Sequence, residues 1–251
     1  MEPGAFVEGN FNFLPGNSQS LEGRGLIYGA KYEVFNPSFP PKQDPNHWYN
    51  GVNFMNYYQG NNYLVEGSLM VRPNGYCYRF LDRINVQAYN IKCMEWRYSS
   101  DGGEASYGSS SLTNSFFKQN DDTLCLYSTN GNYKGIVIYK QSNGAVFQLG
   151  WGFTSSSTIS NNVIQQIDVV STGPVVELGA RSVFSLAMNN GGHYSNFLFE
   201  DIQITGNVTT IFGIDNFSPT KVFPAGTLSN FQFKNISISG TEVNNWYVNY
   251  A

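Results

Sequence analysis

The chain has 251 residues, a formal net charge of −4 and only 13% charged side chains, against 26 glycines, 17 tyrosines, 19 phenylalanines and 30 asparagines. A negative chain with no cluster of Lys and Arg suits neither nucleic acid nor an anionic membrane surface, so the expected partner is neutral. No run approaches roughly 18 consecutive apolar residues, which excludes a membrane-spanning helix, and the first residues, MEPGAFVEGNF, lack the basic and apolar regions of a signal peptide.

Gly and Asn supply the positive φ angles of tight turns, and aromatic and β-branched residues suit pleated surfaces, so the composition favours many short strands. At this length a single all-β domain is the natural reading. In chain order, Gly23-Arg24-Gly25 comes first; neither helix signals nor a Lys-Ser/Thr pair follows it, so it is not a phosphate loop. The segment from Pro37 to Asn62, rich in prolines and polar residues, reads as a long excursion of the kind that helps to form binding clefts, and strand-like VEGSLMVR follows it. From about residue 80 onward, β-rich segments recur: INVQAYNIKCMEW, SLTNSFFKQNDDTLCLY, YKGIVIYKQSNGAVFQLGW, STISNNVIQQIDVVSTGPVVEL, YSNFLFEDIQITGNVTTIFGI and LSNFQFKNISISGTEV. Each is an apolar pair, a short polar break and a second apolar run.

Matching Lys118-Gln119 with Lys140-Gln141 gives a step of 22 residues, and Val137-Ile138 with Val163-Ile164 a step of 26. An irregular period with short strands and no helix signals is what a parallel β-solenoid produces when its loops vary in length. Asn and Ser at the breaks are expected to stack as hydrogen-bonded ladders. A β-sandwich or propeller is the alternative, and neither accounts for the paired runs so directly. Cys77, Cys93 and Cys125 form no CxxC pair and are expected as buried free thiols. Asn207 and Asn235 begin complete Asn-x-Ser/Thr sequons, a pattern compatible with secretion.

The clearest chemical signal is Ser100-Asp101-Gly102 followed by Asn120-Asp121-Asp122, because Asp101 and Asp121 are 20 residues apart, close to one turn of the coil. Strands on neighbouring turns lie about 4.8 Å apart, so the three aspartates would share one patch. Inverting glycosidases set two carboxyl groups roughly 6.5–9.5 Å apart, and a side-chain offset added to the strand spacing reaches that range. Mutual repulsion in such a cluster keeps a proton available as a general acid. Both tripeptides are also ordinary turn sequences, so the pattern alone leaves a structural role open. Other chemistries fit poorly. His47 and His193, the only histidines, lie in no metal-binding pattern, and no Gly-x-Ser-x-Gly elbow occurs.

Four segments together resemble glycoside hydrolase family 49, the dextranase and isopullulanase group, over nearly the whole chain. LEGRGLIYG at Leu21–Gly29 is similar to the family's early Gly-Arg-Gly segment, and WRYSSDG at Trp96–Gly102 to its aromatic stretch ending in Asp-Gly. NDDTLCLYS at Asn120–Ser128 resembles its Asn-Asp-Asp strand, and VFQLGW at Val146–Trp151 its Gln-x-Gly-Trp segment. The resemblance implies a single-stranded right-handed parallel β-helix, with residues 1–251 as the catalytic domain and the family's N-terminal β-sandwich absent from this chain. It implies a secreted, inverting endo-glycoside hydrolase acting on α-1,6 bonds of dextran or a related α-glucan. Asp121 is similar to the family's general acid, and Asp101 and Asp122 to the carboxylates that activate water. No cofactor and no metal are required, and a monomer is expected.

Trp96, Tyr98, Tyr107, Trp151 and Phe153 are candidates for stacking on glucose rings, and Gln148 for binding sugar hydroxyls; core packing and a polar ladder are the plainer readings of the same residues. Cys125 stands where the family has a lysine, which removes a cation beside the aspartates. Two other readings remain: a β-helix that binds polysaccharide with weak or no turnover, and a polygalacturonase-like pectin hydrolase, which should need Arg, Lys or His around the sugar carboxylates.

Overall fold

The computed structural model describes residues 1–9, 11–12, 16–29, 55–57, 60–73, 76–80, 85–95, 100–105, 108–141, 143–151, 156–171, 182–187, 191–215, 226–240 and 242–248. His47, Trp96, Tyr98, Tyr107 and Phe153 lie outside them.

The chain winds through β1 (Phe6–Glu8), β2 (Phe11–Asn12), β3 (Gly16–Glu22), β4 (Leu26–Tyr28), β5 (Met55–Tyr57), β6 (Gly60–Glu66) and β7 (Leu69–Val71). It continues through β8 (Tyr78–Phe80), β9 (Asn85–Tyr89), β10 (Lys92–Met94), β11 (Gly103–Ala105), β12 (Ser110–Thr113), β13 (Phe116–Gln119) and β14 (Leu124–Cys125). The remaining strands are β15 (Asn132–Lys140), β16 (Phe147–Gly150), β17 (Thr158–Ser171), β18 (Phe184–Ala187), β19 (Gly192–Gly206), β20 (Val208–Asp215), β21 (Gly226–Ser239) and β22 (Glu242–Val248). Among the described residues there is no helix. All strand pairs are parallel. One sheet of nine strands runs β2-β5-β8-β11-β14-β16-β18-β20-β22, and a second of 13 strands holds the rest. The architecture is a right-handed parallel β-helix.

The larger sheet is two faces joined at a corner. The residues at that corner have positive φ: Asn90 (52°), Asn114 (49°), Gly135 (65°), Gln166 (57°), Asp201 (54°) and Asn235 (50°). Asn tolerates the left-handed region because its short amide bonds locally, and glycine has no Cβ to clash there. β12 and β13 are separate strands on either side of Asn114, whereas β15 runs across Gly135 and pairs with both. A second corner follows Asn130 (58°), Asn161 (60°), Asn196 (58°) and Asn230 (52°). There the exposed amides form the predicted ladder: Asn161 donates to Asn130 at 3.0 Å, Asn196 to Asn161 at 2.9 Å and Asn230 to Asn196 at 2.8 Å.

Period-two alternation sends every second side chain inward. Ile27, Met70, Cys93, Phe117, Ile138 and Val169 stack at one level of successive coils, each at most 1% exposed. On the facing sheet Phe147, Phe184 and Phe212 stack with ring centroids 5.1 and 5.0 Å apart. Such ring pairs add about 0.5–1.5 kcal/mol each beyond burial of area.

Four expectations are corrected. Gln119 faces Lys140, one residue short of the Lys118–Lys140 match. Ile138 faces Val169, and Val163 faces Asn132, because the Val-Ile pairs sit on different arms of the sheet with the same in–out alternation. Residues 55–57 and 60–62, at the end of the expected excursion, form strands of the coil. Cys77 and Cys93 are not free thiols: both point into the same coil, 6.3 Å apart at Cα, and are joined as a disulfide. Gln119 Nε2 donates to both sulfurs, at 3.2 and 3.1 Å. Cys125 is the buried free cysteine.

Candidate active site

The aspartates lie where the chain turns into the nine-stranded sheet. Cys77 N donates to Asp101 O at 2.9 Å, Gly102 N to Asp122 O at 2.8 Å and Thr123 N to Ala145 O at 2.9 Å. These bonds stack Tyr76, Asp101, Asp122 and Ala145 on consecutive coils. The vertical partner of Asp101 is therefore Asp122, not Asp121 as the 20-residue spacing suggests, and Asp121 is its neighbour along the chain. All three are at least nine-tenths buried.

Each carboxyl is held. Asp121 Oδ1 accepts the Asp122 amide at 3.0 Å, and its Oδ2 accepts Asn143 Nδ2 at 2.5 Å. Asp122 Oδ1 accepts the Ala145 amide at 2.6 Å. The Tyr76 hydroxyl hydrogen-bonds Asp101. Gly144 makes this closeness possible: with φ +66°, an added Cβ would stand 2.4 Å from Asp122 N and 2.5 Å from Asp121 Oδ1.

Burial, then the charges of Asp121 and Asp122, push the Asp101 carboxyl well above the usual range, with Tyr76 opposing. Burial and Asp121 raise Asp122 to about 7, against the pull of the Ala145 amide, Lys140 and the Trp151 indole. Desolvation and like charge both disfavour ionisation, so the cluster retains a proton near neutral pH.

Lys140 was not foreseen. It is 3% exposed, and its ammonium donates to the carbonyls of Asn120 (3.3 Å), Asp121 (2.5 Å) and Asn143. It thus bridges the turn that carries the aspartates to the next turn at Asn143-Gly144. The Asn-Gly pair one coil beyond Asn-Asp-Asp was the available signal for Asn143 and Gly144. Tyr76, Arg79 and Glu104 were also missed, because only the fold brings them to Asp101. Arg79, Glu104, Cys125, Gln148 and Ser185 occupy one level on the outer face of the sheet. Arg79 Nε pairs with Glu104 Oε2 at 2.9 Å. Burial pushes the Cys125 thiol up, so it is neutral.

Of the expected sugar contacts, Trp151 is half-buried beside Asp122. Gln148 is fully buried one coil beyond Cys125, where its Nε2 donates to Leu149 O at 2.6 Å and its Oε1 has no hydrogen-bond partner. His193 pairs with Thr227 at 2.9 Å on the other sheet. Among the described residues no group of three or more His, Cys, Asp and Glu side chains could hold a metal ion.

Comparison with known proteins gives dextranase from Arthrobacter globiformis, 24% identical over 266 residues that cover 96% of this chain and 36% of that protein. Isopullulanase from Aspergillus niger is 24% identical over 274 residues, covering 96% of this chain and 45% of that one. Among solved structures, Dex49A from Penicillium minioluteum superposes with a TM-score of 0.70 at 17% identity, covering 94% of this chain and 42% of that chain. These similar proteins are dextranases and an isopullulanase, the group whose motifs the sequence resembles. The chain spans less than half the length of these relatives. No protein-family model matches it.

Proposed function

We propose that this chain carries the catalytic groove of a secreted, inverting endo-glycoside hydrolase that cleaves α-1,6 bonds of dextran or a related α-glucan. The observation that supports it most is the stacking of Asp101 on Asp122, with Asp121 alongside, as three buried carboxyls with hydrogen-bonded partners. Asp121 gives a proton to the leaving glycosidic oxygen, and Asp101 and Asp122 flank the attacking water and take its proton. A carboxylate whose proton affinity is raised toward neutrality is a stronger base once ionised, which suits Asp122. No cofactor enters this scheme.

The nearby cations favour a neutral polymer over a pectin. Arg79 is paired with Glu104, and Lys140 is buried against backbone carbonyls, so both charges are already engaged. A groove that binds without turnover is the second reading, favoured by the neutral Cys125 where relatives of the family are expected to carry a lysine. Reducing-sugar assays on dextran, pullulan and polygalacturonate separate the readings. Release from dextran, falling by about 100-fold or more in Asp121→Asn with the fold intact, is the expected result. Release from polygalacturonate alone would overturn the substrate, and binding of dextran with no release from any polymer would favour the module.

A further inference from the structure

We infer that Tyr76 is a positioning residue for Asp101, itself held in place by the Arg79–Glu104 ion pair. The inference rests on the hydrolase reading for its kinetic consequences, and on geometry for its existence. Tyr76 stands one coil before Asp101 at the same level, fixed by the Cys77 N to Asp101 O bond and by the pairing of Tyr78 with Gly103. Its hydroxyl reaches the Asp101 carboxyl. The Arg79 guanidinium lies over its ring, 4.9 Å from the centroid. Arg79 is in turn pinned by Glu104, whose side chain is 8% exposed. The ring therefore has a cation over its face and a hydrogen bond at its tip, and cannot swing without breaking one of them.

The surroundings of Asp101 make this contact consequential. Asp121 and Asp122 on the following coil and Glu104 on β11 all oppose its charge, and Cys125 on β14 is a neutral thiol beside it. Of the largest influences on Asp101, the Tyr76 hydroxyl is the one that favours its ionised form. A phenol hydroxyl is a donor that stays protonated here, since Asp101 and burial push its own ionisation well up. Asp101 thus keeps a fixed direction, and the hydroxyl offsets part of the rise that burial and the neighbouring carboxyls impose on it.

Tyr76→Phe keeps the ring and its contact with Arg79 and removes only the hydroxyl. Loss of a hydrogen bond to a charged group should lower kcat on dextran by about 10- to 100-fold, with KM nearly unchanged. Because the bond favours the ionised carboxylate, its loss should move the acid limb of the kcat–pH profile upward by roughly one pH unit. Arg79→Lys, which keeps the charge but removes the planar guanidinium over the Tyr76 ring, should shift the limb in the same direction by less, and serves if Tyr76→Phe does not fold. The Asp101 titration, followed by carbon NMR of labelled aspartate carboxyls, should move with the limb, and it needs no turnover. An unmoved Asp101 titration in both variants, whatever their melting temperature, overturns the inference. A wild-type protein that releases no sugar overturns the hydrolase reading alone.

Discussion

The asparagine corner and the aspartate rim are built on the same stacked coils, yet treat polar side chains in opposite ways. At the corner, Asn130, Asn161, Asn196 and Asn230 repeat one residue, Asn161 and Asn196 both giving and accepting along the ladder, and all stay exposed. At the rim the stack reads Tyr76, Asp101, Asp122, Ala145, changing at nearly every coil, and two like charges meet out of water. A neutral amide ladder satisfies itself, so it can repeat indefinitely. A carboxylate ladder cannot, and needs Lys140, Asn143, Gly144 and Tyr76 to exist at all. The site sits where the coil departs from its own periodicity.

The largest test of that contrast is electrostatic. Asp122 is raised from 3.8 to about 7 in the folded protein, so folded Asp122 keeps a proton that the unfolded chain loses above about pH 4. The stability it contributes is complete below about pH 4 and is lost as pH rises through about 7. Denaturant unfolding of wild type and Asp122→Asn across that window should therefore diverge, on the order of 4 kcal/mol, with wild type losing ground at higher pH. Parallel curves would mean that the rim carries no stored repulsion.

A steric test comes next. Gly144→Ala puts a methyl against backbone and carboxyl atoms that have no slack, at a positive φ. It should cost about 3 kcal/mol in stability and about 100-fold in sugar release, since a displacement near 1 Å at reacting groups has that effect. The corner should be far more forgiving. Asn196→Ala removes two exposed ladder bonds and forces alanine into the left-handed region, for a loss of about 1–2 kcal/mol by thermal unfolding and an unchanged rate. A drop in rate there would tie the two regions together.

Strand content, the coiled plan and the nearness of the three aspartates were legible in the residues, since each follows from alternation, turn chemistry or spacing. Register was not. The Val137-Ile138 and Val163-Ile164 pairs look alike because both faces of the larger sheet bury alternate apolar side chains, and nothing local says which side of a corner a pair occupies. The same ambiguity set Asp101 against Asp121 rather than Asp122. Lys140 looked like half of a repeated Lys-Gln pair, although its ammonium ends among the carbonyls of the aspartate turn. Cys77 and Cys93 gave no pairing signal, because a bond across the interior of one coil follows no short motif.

The strand pairing separates contour length from rise along the axis. Cys125 meets Gln148, and Gln148 meets Ser185, each after one ascent, although the second ascent contains many more residues. A longer ascent therefore leaves the rungs where they were, like thread let out between fixed pegs. A scaffold of this kind accepts longer or shorter spans between its rungs while the stack of Asp101 on Asp122 keeps its spacing.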